Sequence, residues 1–552
     1  MLSLSTLALI GPELEVSMTH ISSTPLQQAR LNGPWDAIVI GSGMGGLTAA
    51  ALLSLHGHKR VLVLERHYVA GGYTHTFSRP GFSWDVGVHY IGQVGNPTDH
   101  VRRAYDHLTA GQLQWAPMPE VYDRTVIGGQ SFDFVRGRER LRAALKARFP
   151  QEARVINRYF KAIRSANRSS TLYHAEKAIP APVARIIGGL LRTPFLRWAR
   201  QTTAQVLHKL GASPELAGLL CAQWGDYGLT PAESSFAIHA TIVEHYLEGA
   251  GYPVGGAERI AATIIPQIER AGGMVVTSAE VTRILVQSGK VSGVELANGQ
   301  QILAPLVISD AGATNTFFRL LPEELPELAG LRAKLRGFAP SMAHLNLFVG
   351  LNGSSAELGL SGTQLWVYPS ADHDAEKRRF LADSSSPLPS IFISFPSAKD
   401  PEFEQKHPGR ATAEVVAAIP YSLFEHWAGT RWMKRGADYE AAKQQWTARL
   451  TAELLHHFPQ LEGRIAHAEL STPLSTQHFM NFPHGEIYGI PATPERYQLR
   501  ELGARTPIPG LLLTGADVAG AGVTGALYGG AIAAGLALGR NLMGVLHKPM
   551  AA

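Results

Sequence analysis

Short apolar runs separated by glycine-rich turns predict a sheet of buried parallel strands. Residues 37–40 (AIVI) and 61–64 (VLVL) are continuous apolar runs, which is typical of strands covered on both faces. Between them, residues 47–56 are rich in Ala and Leu and predict a helix that ends near Gly57. The region therefore predicts a strand, a turn, a helix and a second strand.

The same alternation recurs in two distant parts of the chain. Residues 260–270 have helical spacing, and predicted strands follow at 274–276, 281–287, 291–296 and 306–308. A last strand is predicted at 511–513, before a Gly- and Ala-rich helix. Three separated α/β segments predict one nucleotide-binding sheet assembled from distant parts of the chain.

Composition is that of a globular protein and excludes several function classes. Of 552 residues, 45% are hydrophobic, which excludes wholesale disorder, and 17% are charged, which predicts a surface rich in uncharged area. The net charge of +5 gives no reason to expect a nucleic-acid partner. The single cysteine, Cys221, and the scattered histidines offer no metal-ligand spacing, so no metal is expected.

No segment resembles a secretory signal or a membrane span. The apolar run at residues 1–10 has no preceding positive charge, and residues 1–33 predict a flexible leader. Residues 518–539 carry no charge, but they contain seven glycines and predict a cofactor-binding turn followed by a buried helix. We therefore expect a cytoplasmic protein.

A glycine motif after the first predicted strand indicates dinucleotide binding. Gly41, Gly43 and Gly46 form Gly-x-Gly-x-x-Gly between strand and helix, and Glu65 ends the second strand. Gly41 permits the turn, Gly43 lets the backbone approach a pyrophosphate, and Gly46 lets the helix pack on the strand. The helix N-terminus offers free N–H groups, and Glu65 can accept hydrogen bonds from a ribose.

Further motifs resemble those of the FAD-dependent polyene oxidoreductases, the family of phytoene desaturase, carotenoid isomerase and retinol saturase. Segments 71–77 and 85–92 are most similar to the saturase branch, and segments 252–257, 309–312 and 515–517 extend the resemblance over about residues 34–545. Many relatives carry Arg after the glycine pair, where this chain has Tyr73. That departure weakens a desaturase assignment and agrees better with the saturase branch.

The resemblance implies FAD as the cofactor and names the residues that hold it. Gly41, Gly43 and Gly46 would cradle the pyrophosphate, and Glu65 would hold the adenosine ribose. The other implied contacts are those of Gly71 and Gly72 with the pyrophosphate and ribityl chain, Val281 with adenine, Gly515 and Asp517 with the ribityl or pyrophosphate end, and Val523 and Thr524 with the isoalloxazine ring.

The fold implied is an α/β protein with a Rossmann-like FAD-binding domain of the glutathione-reductase type and a mixed α+β substrate domain. The FAD-binding domain is expected to comprise residues 34–100, 251–330 and 500–552. The substrate and membrane-facing domain is expected to comprise residues 101–250 and 331–499. Electrons are expected to come from, or go to, a diffusible donor or acceptor.

Reduction of a conjugated bond needs a proton as well as a hydride from the flavin. His89 and Tyr90, in the loop expected near the flavin, are candidate proton donors; a purely structural role in that loop is the alternative. Glu486 is a third candidate, because burial in an apolar tunnel raises the pKa of a carboxyl group. As an exposed loop acid it would have no role.

An apolar polyene substrate favours contact with a membrane surface. A helix over residues 185–200 would place Ile187, Leu191, Phe195 and Trp198 on one stripe, with four arginines on the opposite arc, as in an interfacial helix. Pro194 would kink or split this helix. A helix packed on the core shows the same pattern, so both interpretations stay open. We expect peripheral attachment.

The predicted activity is saturase-like reduction of a conjugated C=C bond in a retinoid or carotenoid. Desaturation and cis–trans isomerisation share the implied fold, cofactor and tunnel, so both stay open. A non-catalytic flavin-bound lipid carrier and an amine oxidase are further alternatives.

Overall fold

Six parallel strands from three distant parts of the chain form one sheet, here called the cofactor sheet. The structure, a computed structural model, describes residues 23–178 and 181–548. In order across the sheet, the strands are Thr24–Pro25, Met274–Thr277, Val61–Leu64, Ala37–Ile40, Val307–Ser309 and Leu511–Leu513. Ile38 pairs with Leu62 on one side and Val307 on the other. This confirms the expected nucleotide-binding sheet.

Three helices pack beside this sheet, and glycines allow their close contact. Helix Met44–Gly57 contacts Gly522–Ala537 and Glu258–Glu269. A Cβ at Gly530 would lie 2.5 Å from the carbonyl oxygen of Gly45. A larger residue there would push helices Met44–Gly57 and Gly522–Ala537 apart. The uncharged run at 518–539 is therefore a turn and a largely buried helix. Among the described residues, no helix combines the length and hydropathy that crossing a membrane requires.

The leader expected over residues 1–33 joins the fold from residue 24 onward. Thr24 pairs in parallel with Val276 at the edge of the cofactor sheet. Leu31 and Trp35 are buried, and the Trp35 indole donates a hydrogen bond to the Leu31 carbonyl (3.0 Å). The expectation is therefore wrong for this part of the segment, because its apolar side chains find a core to pack against. Residues 1–22 lie outside the described residues.

A second, seven-stranded sheet lies in the rest of the chain. Its order is Ile465–Ser471, Ala343–Asn352, Arg410–Ile419, Ile391–Ser394, Gln364–Tyr368, Val121–Ile127 and Gln130–Val135. All neighbours in it are antiparallel except Gln364–Tyr368 and Val121–Ile127. We propose that the two sheets mark the two domains expected from the sequence, with the same boundaries.

Smaller sheets link and extend these layers. Strand Ala250–Pro253 pairs with both Ile91–Gly92 and Trp115–Pro117, so it joins the two proposed domains. The remaining strands are Thr76–Arg79 with Phe82–Asp85, and Val281–Gln287 with Lys290–Leu296 and Gln301–Leu303. The hairpin expected around Ser288 is confirmed.

Helices Ala153–Ala178, Ala181–Ala199 and Phe236–Tyr246 pack together as one layer. The other α-helices are His100–Thr109, Arg138–Arg148, Thr203–Leu210, Pro214–Leu220, Ala313–Asn315, Ala329–Leu335, His373–Ala382, Phe403–Lys406, Ala437–His457, Pro473–Met480, Pro494–Gln498 and Met543–Leu546.

The helix Ala181–Ala199 presents only part of the expected apolar stripe to solvent. It continues through Pro194. Phe195 is only 3% exposed and stacks on Tyr173, with ring centroids 4.3 Å apart, so the predicted stripe turns inward at this position. Ile186 and Leu190 are instead 83% and 78% exposed. At Phe195 the stripe packs on the protein core, as the second interpretation has it, because helical spacing alone does not tell which apolar face meets the protein.

Candidate functional site

A cavity of about 810 Å³ runs along the carboxyl edge of the cofactor sheet. Its walls include Gly41, Glu65, Asp310 and Gly515. Each lies within two residues of the end of one of four neighbouring strands. Ligands of parallel α/β sheets bind at this edge, where the loops that leave the strands diverge. The cavity continues to the helical layer, where Phe195 forms part of its wall. Its size is ordinary for a cofactor and substrate site.

Most residues expected to hold the cofactor line this one cavity. They are Gly41, Gly43, Glu65, Gly71, Gly72, Val281, Gly515, Asp517, Val523 and Thr524. Gly46 does not line it. A Cβ at Gly46 would collide with the carbonyl oxygen of Gly41, so this glycine lets the first turn of the helix pack on the strand end. This agrees with the packing role that the motif predicts for Gly46, and its contact with a pyrophosphate stays a prediction.

The glycine-rich turn leaves N–H groups free at a helix N-terminus. Helix Met44–Gly57 begins after Gly43, has no side-chain cap and carries no acidic residue in its first turn. Gly71 and Gly72 have φ of +121° and +56°, and a Cβ at Gly72 would lie 2.9 Å from the Gly43 Cα. Two glycine loops thus meet beside free backbone donors, as a pyrophosphate requires.

Glu65 ties the two glycine loops to the second strand. Its carboxylate accepts hydrogen bonds from the Ser42 amide (2.9 Å), the Ser42 hydroxyl (2.7 Å) and the His67 amide (2.7 Å). The Ser42 hydroxyl oxygen in turn accepts from the Gly71 amide at 3.0 Å. This network holds the turn open at the cavity, and Glu65 still faces the cavity that a ribose would enter.

Asp517 joins three segments that are distant in the sequence. Its carboxylate accepts hydrogen bonds from the Ala313 amide (2.7 Å) and the Ile490 amide (2.9 Å). A Cβ at Gly489 would lie 2.6 Å from one of its oxygens. Asp517 is buried, yet it lines the cavity, so it both organises these loops and remains available to a hydroxyl group of a ligand.

The sequence motifs did not identify Asp310, which lies beneath the glycine turn. Cβ atoms built on Gly43, Gly45 and Gly515 would each lie 2.5 or 2.6 Å from its carboxyl oxygens. Burial raises the pKa of Asp310 to about 8, with a smaller contribution from the nearby Glu65 carboxylate. The group is therefore mostly protonated at neutral pH and does not repel a phosphate. The available signal was an acidic residue at the end of a predicted strand.

His89 lines the cavity as a neutral imidazole. Burial lowers the pKa of His89 to about 3, with a further contribution from the Lys399 ammonium. Its Nδ1 has no hydrogen-bond partner among the described residues, and Glu414 Oε2 lies 3.9 Å away. The Lys399 Nζ donates a hydrogen bond to the His89 carbonyl (2.7 Å) and so fixes the loop.

Tyr90 lines the cavity beside two carboxyl groups, those of the buried Asp123 and the half-buried Asp226. Its hydroxyl donates a hydrogen bond to Asp123 Oδ2 at 3.0 Å, and the Gln223 amide donates to the same oxygen at 2.7 Å. Burial raises the pKa of Asp123 to about 7. Burial and the neighbouring Asp123 raise the pKa of Asp226, which also lines the cavity, well above its usual range. Two carboxyl groups with raised pKa values, those of Asp123 and Asp226, therefore lie beside Tyr90, and the sequence did not reveal them.

Glu486 stands apart from the cavity wall. Its carboxylate accepts a hydrogen bond from the His484 amide (2.7 Å), and burial raises the pKa of Glu486. The side chain is buried, so the interpretation as an exposed loop acid is wrong. Its neighbours Ile487 and Tyr488, rather than Glu486 itself, form the wall.

The donor set fits a flavin dinucleotide. Free helix N–H groups, two glycine loops in close approach and two acidic residues face one cavity, and the Thr524 hydroxyl is buried without a partner among the described residues. No group of three or more His, Cys, Asp or Glu side chains in residues 23–178 and 181–548 is arranged to hold a metal ion.

Comparisons with known proteins agree with this geometry. A family profile described as an NAD(P)-binding Rossmann-like domain matches residues 39–108. The chain is 38% identical to human all-trans-retinol 13,14-reductase over 92% of this chain and 86% of the human protein. It is 27% identical to prolycopene isomerase 1 of an Oncidium hybrid cultivar, over 83% and 76% of the two chains.

A solved structure shares the fold. Cyclohexylamine oxidase from Brevibacterium oxydans superposes with a TM-score of 0.56 at 17% identity, over 94% of this chain and all of that chain. At this identity the likeness concerns the fold alone.

Proposed function

The chain belongs to the family of FAD-dependent carotenoid and retinoid oxidoreductases, and on that premise we propose that it reduces a conjugated C=C bond of a retinoid or a related polyene. The observation that carries the proposal is the full-length likeness to proteins named all-trans-retinol 13,14-reductase. The cavity supports it, because cofactor loops and an apolar wall meet in one space.

We propose FAD as the bound flavin. Gly41, Gly43 and the first turn of helix Met44–Gly57 would bind the pyrophosphate, with Gly71 and Gly72 closing over it. The other proposed contacts are Glu65 with the ribose, Val281 with adenine, Gly515 and Asp517 with the ribityl end, and Val523 and Thr524 with the ring. When bound, the reduced flavin supplies a hydride to one carbon of the conjugated bond.

The apolar end of the cavity suits the substrate. Phe195, Ile238 and Ile242 line it and are almost fully buried. These side chains would hold an extended hydrocarbon by apolar contact and keep water away from the reacting carbons. A carrier would need only this apolar end, whereas this chain also has a complete set of cofactor loops.

We propose Asp226 as the proton donor to the second carbon. It lines the cavity, and burial together with the neighbouring Asp123 raises its pKa well above the usual range, which favours the protonated form that a general acid requires. Tyr90, which donates a hydrogen bond to Asp123, would pass a proton back to Asp226 after Asp226 has given up its own. His89 is neutral and Tyr90 is a weaker acid, so we assign them to positioning and relay. Glu486 would act only on the shape of the wall.

We propose that the protein attaches to a membrane surface through an exposed apolar patch, defined as Leu172, Ile186, Ile187 and Leu190. Their side chains are 44%, 83%, 40% and 78% exposed. The same two helices line the cavity with Thr171 and Phe195, so the patch lies on the outer side of the cavity wall. A polyene dissolved in a membrane would then have a short path to the cavity.

The deciding experiment uses the FAD-loaded protein, reduced anaerobically and incubated with all-trans-retinol. Reduction predicts a product heavier by two hydrogens. An unchanged mass with a shifted absorption spectrum would support isomerisation, the second candidate, which the prolycopene isomerase relatives favour. Bound flavin with no product from any polyene would support the carrier. Turnover under cellular conditions would also require a diffusible electron donor.

A further inference from the structure

A second cavity of about 110 Å³ adjoins the large one. The two cavities share walls, so a ligand in the large cavity can extend a short end group into the small one. The shared residues are Tyr73, Gly87, His89, Asp226, Ile487 and Tyr488. The volume suits a few non-hydrogen atoms.

Buried polar atoms without partners surround this small cavity. Among the described residues, seven of those that line it carry such an atom: Tyr73 Oη, His89 Nδ1, Trp224 Nε1, Asp226 Oδ2, His344 Nδ1, Asn346 Oδ1 and Trp366 Nε1. Buried polar groups are nearly always hydrogen-bonded in folded proteins, because an unpaired one has lost its water without compensation. So many in one place indicate that a polar group occupies the cavity.

The wall of the small cavity is uncharged and has both donors and acceptors. Burial lowers the pKa of His89 to about 3 and that of His344 to about 4, so both rings are neutral. Burial also raises the pKa of Asp226 well above its usual range, which favours the neutral carboxyl. The Tyr73 hydroxyl and the Trp224 indole donate, whereas the Asn346 oxygen accepts. An uncharged group that both donates and accepts fits this wall better than a carboxylate.

We propose that the small cavity is a binding subsite for the terminal hydroxyl group of a polyene alcohol. The inference rests on the proposed function and names the polar end of its substrate. In all-trans-retinol the carbon that carries the hydroxyl is bonded to C14. A hydroxyl in the small cavity therefore places the 13,14 bond at the junction of the two cavities, beside Asp226 and His89.

The test compares two ligands that differ only in the hydroxyl. Dissociation constants are measured on the FAD-loaded protein for all-trans-retinol and for the hydrocarbon with hydrogen in place of the hydroxyl. We expect the wild-type protein to prefer the alcohol by roughly tenfold or more. Tyr73→Phe and His344→Leu should each reduce this preference about threefold, and the double variant should nearly abolish it.

Tyr73 Oη and His344 Nδ1, which these substitutions remove, have no hydrogen-bond partner among the described residues, so the fold is expected to persist. Tyr159→Phe is the matched control, because Tyr159 is buried, lines neither cavity and bonds His239. It should leave the preference unchanged.

Each outcome decides a separate point. Equal affinity of the wild-type protein for alcohol and hydrocarbon would overturn the subsite, whose occupant would then be water, and would leave the proposed function standing. Binding of neither ligand would contradict the proposed function itself. An undiminished preference for the alcohol in the double variant would also overturn the subsite.

Discussion

The Tyr90 hydroxyl donates a hydrogen bond of 3.0 Å to Asp123 Oδ2. Tyr90 belongs to the loop that follows the first cofactor segments, whereas Asp123 lies in a strand of the seven-stranded sheet. This bond therefore joins the two parts of the molecule that face the cavity. It also holds the Asp123 carboxylate near Asp226, whose pKa is raised by burial and, in part, by Asp123.

Substitution of the proposed proton donor should slow reduction without loss of the cofactor. Asp226→Asn keeps the shape of the side chain but removes its acidic proton. We expect the rate of saturated product formation to fall about 100-fold, while the flavin content stays at the wild-type level. Anaerobic single-turnover assays measure the rate. Asp133→Asn, on the exposed hairpin, is the control; a rate for Asp226→Asn equal to that of the control would exclude the proposed role.

Loss of the Glu65 carboxylate should weaken flavin binding. Glu65→Ala leaves the Ser42 and His67 amides without their acceptor and loosens the glycine turn. We expect FAD affinity to drop at least about tenfold, because each lost charge-assisted hydrogen bond contributes about 1.5–3 kcal/mol. Titration of the apoprotein with FAD gives the dissociation constant. Glu495→Ala, at an exposed position that does not line the cavity, should bind FAD normally. Normal FAD affinity in Glu65→Ala would contradict the assignment.

Gly46 should tolerate no side chain, although it does not line the cavity. Gly46→Ala would drive its Cβ into the Gly41 carbonyl oxygen, and overpacking of this kind costs about 1–3 kcal/mol. We expect a lower melting temperature. Gly330→Ala is the matched control, because Gly330 is also helical and its Cβ would meet nothing within 4 Å. Equal melting temperatures for the two variants would show that the helix can move away from the turn.

The raised pKa of Asp310 predicts that the free energy of unfolding falls as pH rises toward 8. Its pKa is raised from 3.8 to about 8, so the folded state holds the proton more tightly than the unfolded state. The stabilisation is complete below pH 4 and is lost progressively as pH rises to about 8. Asp310→Asn mimics the protonated form and should flatten this part of the profile. Thermal unfolding between pH 5 and 8.5 measures the difference. Parallel profiles for the two proteins would show that Asp310 does not titrate in this range.

The exposed apolar patch should govern attachment to lipid vesicles. Ile186→Glu combined with Leu190→Glu places charge on the most exposed part of the patch. We expect at least about a tenfold loss of binding to vesicles of phosphatidylcholine and phosphatidylserine, measured by flotation. Leu303→Glu is the control, since Leu303 is 62% exposed on a hairpin strand elsewhere. Binding that survives the double substitution would refute this membrane surface.

Local sequence determined the elements and the cofactor loops. Strands 37–40, 61–64 and 511–513 lie where their apolar runs predicted, because a strand buried on both faces needs a continuous apolar segment. The Gly41–Gly43 turn was equally predictable, since positive φ and close backbone approach require glycine at fixed positions.

Tertiary structure alone decided which side chains share the cavity and in which protonation state. Asp310 and Asp226 carry no motif; their pKa values follow from burial among residues that are distant in the sequence. Phe195 faces inward because its ring stacks on Tyr173, and helical spacing holds no information about such a partner. Periodicity records how each segment divides into apolar and polar faces, whereas desolvation and contact depend on what the rest of the chain places against them.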